Sequence, residues 1–382
     1  MKIISLRVKN NFFEWDFDEI KFSSNLTLLV GVSGAGKTQI LRAILDLRCI
    51  ANGEAINGFE WKIIFSTVNG TEFIWEGRFD TVETNELSFE DDEKQKDYEQ
   101  EEKYSLIYEK LTSNNQVLIH RNREEIRFKD SLLPKLSSHE SMIYILKEES
   151  VIKEAFDALN KIEYRDHTRG RRIRNNSNQS LYSLKNKYKT LDSIVNSDED
   201  IRTKLYLTYE NKLDIPEKIK SRFIDIFPQI GDLKLEPFKA DIFFPKAMAE
   251  KIPPVIYIKD KSVPKWIRED RMSSGMLRTI IHIAEIFLAN EGSLILIDEF
   301  ENSLGINCID ILTDDVIHEN KTLQFIATSH HPYIINNIPY EYWKIVTRQG
   351  GHIRIGNASD YHLGKSKQDA FIQLTKILQK QS

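Results

Sequence analysis

Leu26-Thr27-Leu28-Leu29-Val30 runs without a break into Gly31-Val32-Ser33-Gly34-Ala35-Gly36-Lys37-Thr38, and the residues that follow place Ile40, Leu41, Ile44, Leu45 and Leu47 on one helical stripe. Strand, glycine-rich loop and helix come in the order that the pattern G-x-x-x-x-G-K-[ST] requires. Glycines let the backbone curl until its N–H groups face a phosphate, and a helix N-terminus adds a favourable dipole. The segment from Gly31 to Thr38 is therefore the expected nucleotide cradle. Lys37 reaches the β- and γ-phosphates, and the Thr38 hydroxyl ligates Mg²⁺. A chance glycine-rich turn would not be framed by an apolar strand and an amphipathic helix.

Far along the chain, Leu294-Ile295-Leu296-Ile297 is an apolar run that ends in Asp298-Glu299. Four consecutive apolar residues suit a strand buried on both faces of a parallel sheet. Two carboxylates at its end are costly to desolvate without a function or a partner. Asp298 is expected to hold Mg²⁺ through a water, and Glu299 to act as the general base on an attacking water. This strand is expected at the centre of the sheet beside Leu26–Val30. Two further pieces are less specific. Met272-Ser273-Ser274-Gly275-Met276 opens a helical stretch over 276–290 and reads either as an anion site or as an ordinary N-cap. Thr328-Ser329-His330-His331-Pro332 follows the strand TLQFIA, where a histidine can reach a γ-phosphate or simply sit in a surface turn.

The rest of the chain frames these pieces. At 382 residues it is too long for one compact unit, so two lobes or one domain with a large insertion are expected. A 41% hydrophobic content supplies a core and excludes global disorder. Net charge is −5, so any nucleic-acid contact must come from a local patch. Cys49 and Cys308 are the two cysteines and make neither a disulfide framework nor a zinc site, as in a reducing cytoplasm. The opening MKIISLRVKN has no long apolar h-region, and no run approaches the roughly 20 apolar residues that span a bilayer. No membrane association is expected. WKIIFST and EFIWEG around Asn69-Gly70 read as a hairpin, and QVLIH and EIRF bracket Arg121–Glu125, so an antiparallel β subdomain is expected near 60–130. The acidic stretch 88–103 reads as a solvated loop. Residues 140–235 read as a helical insertion that contains the basic run Arg165–Arg174, and Pro237, Pro245, Pro253 and Pro254 mark the return from it. The expected division is thus 1–139, 140–235 and 236–382.

Order and spacing carry more than any single piece: 25 residues separate Ser273 from Asp298, and 32 separate Asp298 from His330. Taken together, "IISLRVKNN", "GVSGAGKT", "SSGM", "LILIDEFENSLG" and "IATSHHP" resemble the ABC ATPase superfamily, in its SMC, RecF and OLD branch. The resemblance covers roughly 1–80 and 255–360. It implies an α/β fold, a P-loop NTPase head of the ABC type, with an antiparallel β subdomain and a helical insertion. It also implies ATP and Mg²⁺ as ligands, and a site split between two protomers of a head-to-tail homodimer. One protomer supplies the P-loop, Asp298, Glu299 and the switch histidine His330. The other supplies Ser273, Gly275 and a D-loop around Asn302–Gly305. Val32-Ser33 stands where relatives often carry asparagine, Phe300 where many have proline, and Leu304-Gly305-Ile306 lacks the usual His-Pro, which puts slow or regulated hydrolysis in play. Ser137–Ser141 is the best match for a Q-loop.

The insertion is too short for the long coiled coils of SMC members, and the 52 residues after His330 are too few for the Toprim nuclease of OLD proteins. A head without a visible effector resembles the stand-alone ATPase subunits of anti-phage systems such as PARIS or Septu. The resemblance then implies an ATP-gated sensor or scaffold that controls a separate nuclease encoded nearby. Two alternatives stand beside it. One is a RecF-like repair ATPase that contacts DNA through Arg165–Arg174. The other is a non-catalytic, ATP-gated interaction protein.

Overall fold

A computed structural model of the chain describes residues 1–83, 104–165, 180–197, 199–238, 252–300, 322–330 and 338–361. The chain divides into two compact units. The first joins Met1–Arg165, Glu291–Glu299 and Asn320–Ser382; the second joins Asp166–Asn290 and Phe300–Glu319. The division differs from the expected cuts at 139 and 235. Residues 140–165 belong with the P-loop, and the segment that opens at Ser273 belongs with the helical insertion.

Among the described residues, the first unit is built on one 15-stranded sheet. Its parallel part runs Ile162–Arg165, Leu294–Ile297, Gln324–Ser329, Leu26–Val30, Trp343–Gln349. Leu26–Val30, Leu294–Ile297 and Gln324–Ser329 are buried at every position, the pattern of strands covered on both faces. The P-loop helix Lys37–Ala51 buries Ile40, Leu41, Ile44 and Leu47 of the expected stripe, and Ile50 besides, while Leu45 is half-buried. Leu294–Ile297 is neither central nor beside the P-loop strand: among the described residues it lies second from the edge strand Ile162–Arg165. Gln324–Ser329 lies between it and the P-loop strand and pairs in parallel with both. This interposed strand brings Thr328 level with Leu29.

Beyond His352–Asn357 and Trp15–Phe17 the sheet turns antiparallel: Lys2–Asn10, Phe59–Ser66, Glu72–Phe79, Leu106–Ser113, Gln116–Arg121, Ile126–Phe128 and Ser131–Leu132. Here burial alternates, with Phe59, Trp61, Ile63 and Phe65 inside and Lys62 outside, because one face meets the core and the other meets water. The hairpin at Asn69-Gly70 closes through Thr67 N–H to Thr71 O, 2.9 Å.

A buried polar cluster fastens this subdomain to the segment that follows it. Glu109 is fully buried and accepts from Trp75 Nε1 at 2.9 Å, Ser141 Oγ at 2.5 Å and the Met142 backbone N–H at 2.7 Å. Burial pushes its carboxyl up, against the pull of those donors and of Arg121. Arg121 donates to Ser137 O at 2.6 Å and Glu140 O at 2.9 Å. The segment Ser137–Ser141, read above as a Q-loop, is thereby tied to Arg121 and Glu109. Glu109→Leu is expected to cost about 3–5 kcal/mol, because it orphans buried donors and leaves Arg121 without its counter-charge. Denaturant unfolding measures it, and a loss below about 1 kcal/mol would contradict the assignment.

The second unit holds the helices Leu181–Lys187, Leu191–Val195, Ile201–Glu210, Ile215–Ile226 and Ser274–Phe287, and a three-stranded sheet of Ile230–Glu236, Val255–Asp260 and Ile267–Arg268. Ser274–Phe287 packs on Ile201–Glu210 and Ile215–Ile226 through a face that includes Ile280, Ile283 and Ala284. The acidic stretch 88–103, the D-loop Asn302–Gly305, and all of the basic run except Arg165 lie outside the described residues.

Candidate functional site

The loop Gly31–Gly36 leaves its strand where only glycine fits. A Cβ on Gly31 would come within 2.4 Å of Val346 O. Gly36, the N-cap of the P-loop helix, has φ 103°, and a Cβ there would meet Ile353 Cδ1 at 2.6 Å. The loop is therefore pressed against the strand pair Trp343–Gln349 and His352–Asn357, with Val32, Ser33 and Gly34 exposed at its crest and Ala35 buried beneath. Lys37 Nζ donates to Gly31 O at 2.8 Å and Val32 O at 2.9 Å, so the cation spans the mouth of the loop.

The two acidic-end residues sit two strands from the P-loop strand, across Gln324–Ser329. Thr38 Oγ1 lies 3.2 Å from Asp298 Oδ1, which brings together groups 260 residues apart in sequence. Thr328 Oγ1 donates to the same Asp298 oxygen at 2.6 Å and accepts the Glu299 backbone N–H at 2.8 Å. Tyr164 OH lies 3.4 Å from Asp298 Oδ2. Glu299 has φ 50°, a left-handed conformation that costs a non-glycine residue about 1–2 kcal/mol. Its side chain is exposed where the strand ends, while Asp298 is half-buried. His330 follows Gln324–Ser329 directly and is exposed, after a fully buried Ser329. His331 lies outside the described residues.

Hydroxyl and carboxylate oxygens that converge beside a phosphate cradle are the hard donors that Mg²⁺ takes, usually with only one or two carboxylates and the remaining positions filled by water and phosphate. Thr38 and Asp298 fit that ion. The sequence motifs include Thr328 but give it no role, and they do not reach Tyr164. A threonine inside an otherwise apolar buried strand was the available signal for the first. Tyr164 had none, since its strand of four residues adjoins a polar, basic stretch.

Ser273 and Gly275 lie in the second unit. Ser273 is the N-cap of Ser274–Phe287: its Oγ accepts the Met276 N–H at 3.2 Å, and the residue is exposed. Thr279 Oγ1 donates to Gly275 O at 2.8 Å one turn on. The N-cap reading is thus realised, and it leaves Ser273 at an exposed helix N-terminus, where backbone N–H groups are available to an anion.

Among solved structures, the chain is similar to an Smc head bound to the C-winged helix domain of ScpA. Identity is 14%, 93% of this chain and 97% of that chain are covered, and the TM-score is 0.50. It is likewise similar to an Smc head domain with an extended coiled coil bound to the C-terminal domain of ScpA, derived from Pyrococcus furiosus, at 13% identity, 98% and 99% coverage and a TM-score of 0.50. At such identity the likeness speaks for the fold alone, a P-loop NTPase head fold of the ABC type. No curated protein matches the chain. No helix among the described residues is long and apolar enough to cross a membrane. One family matches residues 26–336, from the P-loop strand to beyond His330, and on that match the chain belongs to the family described as "AAA domain, putative AbiEii toxin, Type IV TA system".

Proposed function

We propose that this protein binds ATP with Mg²⁺ and hydrolyses it, and that it does so as a head-to-tail homodimer. The observation that carries the reading is the meeting of Thr38 and Asp298 at 3.2 Å, with Glu299 anchored beside them. The P-loop N–H groups and Lys37 hold the phosphates, and Thr38 and Asp298 would hold Mg²⁺. When bound, the ion neutralises charge on the phosphate oxygens. Glu299 takes the proton of the attacking water, and His330 orients the γ-phosphate from the end of the interposed strand. In-line attack needs little covalent chemistry from the protein, so positioning and charge supply most of the acceleration. Ser273 and Gly275 of the second protomer close the site through the exposed N-terminus of Ser274–Phe287, so that ATP joins the two chains.

The dimer is a sensor or scaffold that controls a separate effector, a nuclease, in anti-phage defence. The family's description, which names a toxin of a type IV toxin–antitoxin system, agrees with a defence setting. On this reading the carboxylates at 298 and 299 serve the nucleotide, and the purified protein releases phosphate from ATP while leaving DNA and RNA intact. Phosphate release is followed with Mg²⁺ and with EDTA, and nucleic-acid integrity on gels alongside. Metal-dependent cleavage that survives further purification and persists in Lys37→Ala would refute the division of labour. Strong stimulation of phosphate release by DNA, without an associated nuclease, would move the protein to a repair role.

A further inference from the structure

Three hydroxyls converge on Asp298, and one of them also touches the peptide of Glu299. Thr328 is 1% exposed, inside the strand that separates the P-loop strand from Leu294–Ile297. Its single hydroxyl proton goes to Asp298 Oδ1 at 2.6 Å, so its lone pairs are left for the Glu299 N–H at 2.8 Å. The direction of both bonds is fixed, because a carboxylate only accepts and an amide only donates. Thr38 approaches the same oxygen from the P-loop helix, and Tyr164 approaches Oδ2 from the strand Ile162–Arg165.

We infer that Thr328 is the positioning residue of the site: through one hydroxyl it orients the metal-holding carboxylate of Asp298 and pins the Glu299 peptide that aims the general base. The inference rests on the ATP-hydrolysis reading above and deepens it. Glu299 needs such a pin, since its φ of 50° lies in a region that non-glycine residues leave unless the surroundings hold them. A bond to its N–H is the direct way to hold that peptide. Asp298 needs one as well, because a carboxylate free to rotate presents its lone pairs to the ion only part of the time. Partners in this outer position commonly carry 10–100-fold of metal affinity or activity. A hydroxyl that merely satisfied buried polar atoms would affect stability and nothing else.

The test separates these roles. Thr328→Val removes the hydroxyl at constant shape, Thr328→Ser keeps it, and Thr328→Ala serves should valine not fold. A fluorescent ATP analogue is titrated into each protein at a series of Mg²⁺ concentrations, and turnover and thermal melting are measured in parallel. For Thr328→Val we expect metal-free nucleotide affinity as in the wild type, a Mg²⁺ requirement raised about 10–100-fold, and turnover lowered by about the same factor. Thr328→Ser restores both. Unchanged Mg²⁺ dependence and turnover in a folded valine or alanine variant overturns the inference, as does a folded serine variant that fails to restore them. A wild type that binds ATP and Mg²⁺ without hydrolysing it sinks the ATPase reading, while the Mg²⁺ titration still decides the role of Thr328 at Asp298.

Discussion

Glu299→Gln lowers ATP turnover by about 10²–10⁴-fold, the usual contribution of a positioned general base, and leaves ATP binding in place. The amide matches the carboxylate in shape but takes no proton from water at neutral pH. The substitution spares the backbone N–H bonded to Thr328 at 2.8 Å, so the turn at the end of the strand keeps its geometry. It also spares Asp298, which keeps its contacts with Thr38 and Thr328. The loss should therefore fall on turnover and hardly at all on nucleotide affinity, the signature of an interaction made in the transition state. Phosphate release and equilibrium binding of a fluorescent ATP analogue measure the two separately. Wild-type turnover in Glu299→Gln would place the base elsewhere, with Glu301 as the next residue to test.

What the sequence revealed of this site follows from how local each signal is. Gly31–Thr38 could be read directly because a phosphate cradle is made by consecutive backbone groups, and Gly31 and Gly36 mark where a Cβ has no room, while Gly34 supplies a positive φ. Leu294–Ile297 was legible as a strand buried on both faces, since four consecutive apolar residues suit such a strand and the two acids mark its end. Its neighbour was misjudged for an equally physical reason. Several apolar strands of similar length compete for the place beside Leu26–Val30, and their order is set by how the chain crosses over, not by the strands themselves. Gln324–Ser329 takes that place, which makes Thr328 the bridge between Asp298 and Glu299. Ile162–Arg165 was hidden for a related reason. Four residues give too short a run to establish a period, and the partner Leu294–Ile297 lies far along the chain. The antiparallel subdomain was legible through alternation and the Asn69-Gly70 turn, both local. The assignment of Ser274–Phe287 to the second unit was not, because the motifs alternate between units along the chain while their order in sequence stays unbroken.

That interleaving gives the composite-site proposal a sharp consequence. Lys37 lies in the first unit and Ser273 in the second, so each lesion falls in a different compact unit. Lys37→Ala removes the cation that spans the loop mouth and is expected to abolish ATP binding at the sites that contain it. Ser273→Arg removes a helix cap, a loss of about 1 kcal/mol that the fold tolerates, and sets a bulky cation at an exposed helix N-terminus where the partner's nucleotide would arrive. Either variant alone forms homodimers in which both sites are spoiled. Mixed dimers differ: if a site takes Lys37 from one chain and Ser273 from the other, one of their two sites carries both lesions and the other carries none. Random pairing of equal amounts makes half of the dimers mixed, so a 1:1 mixture should recover about a quarter of wild-type turnover from two inactive parents. Differently tagged chains let the mixed dimers be captured and counted. Recovery in proportion to their number is the expected result. Proven mixed dimers without recovery would show that each site is complete within one chain or that the two sites fire only together.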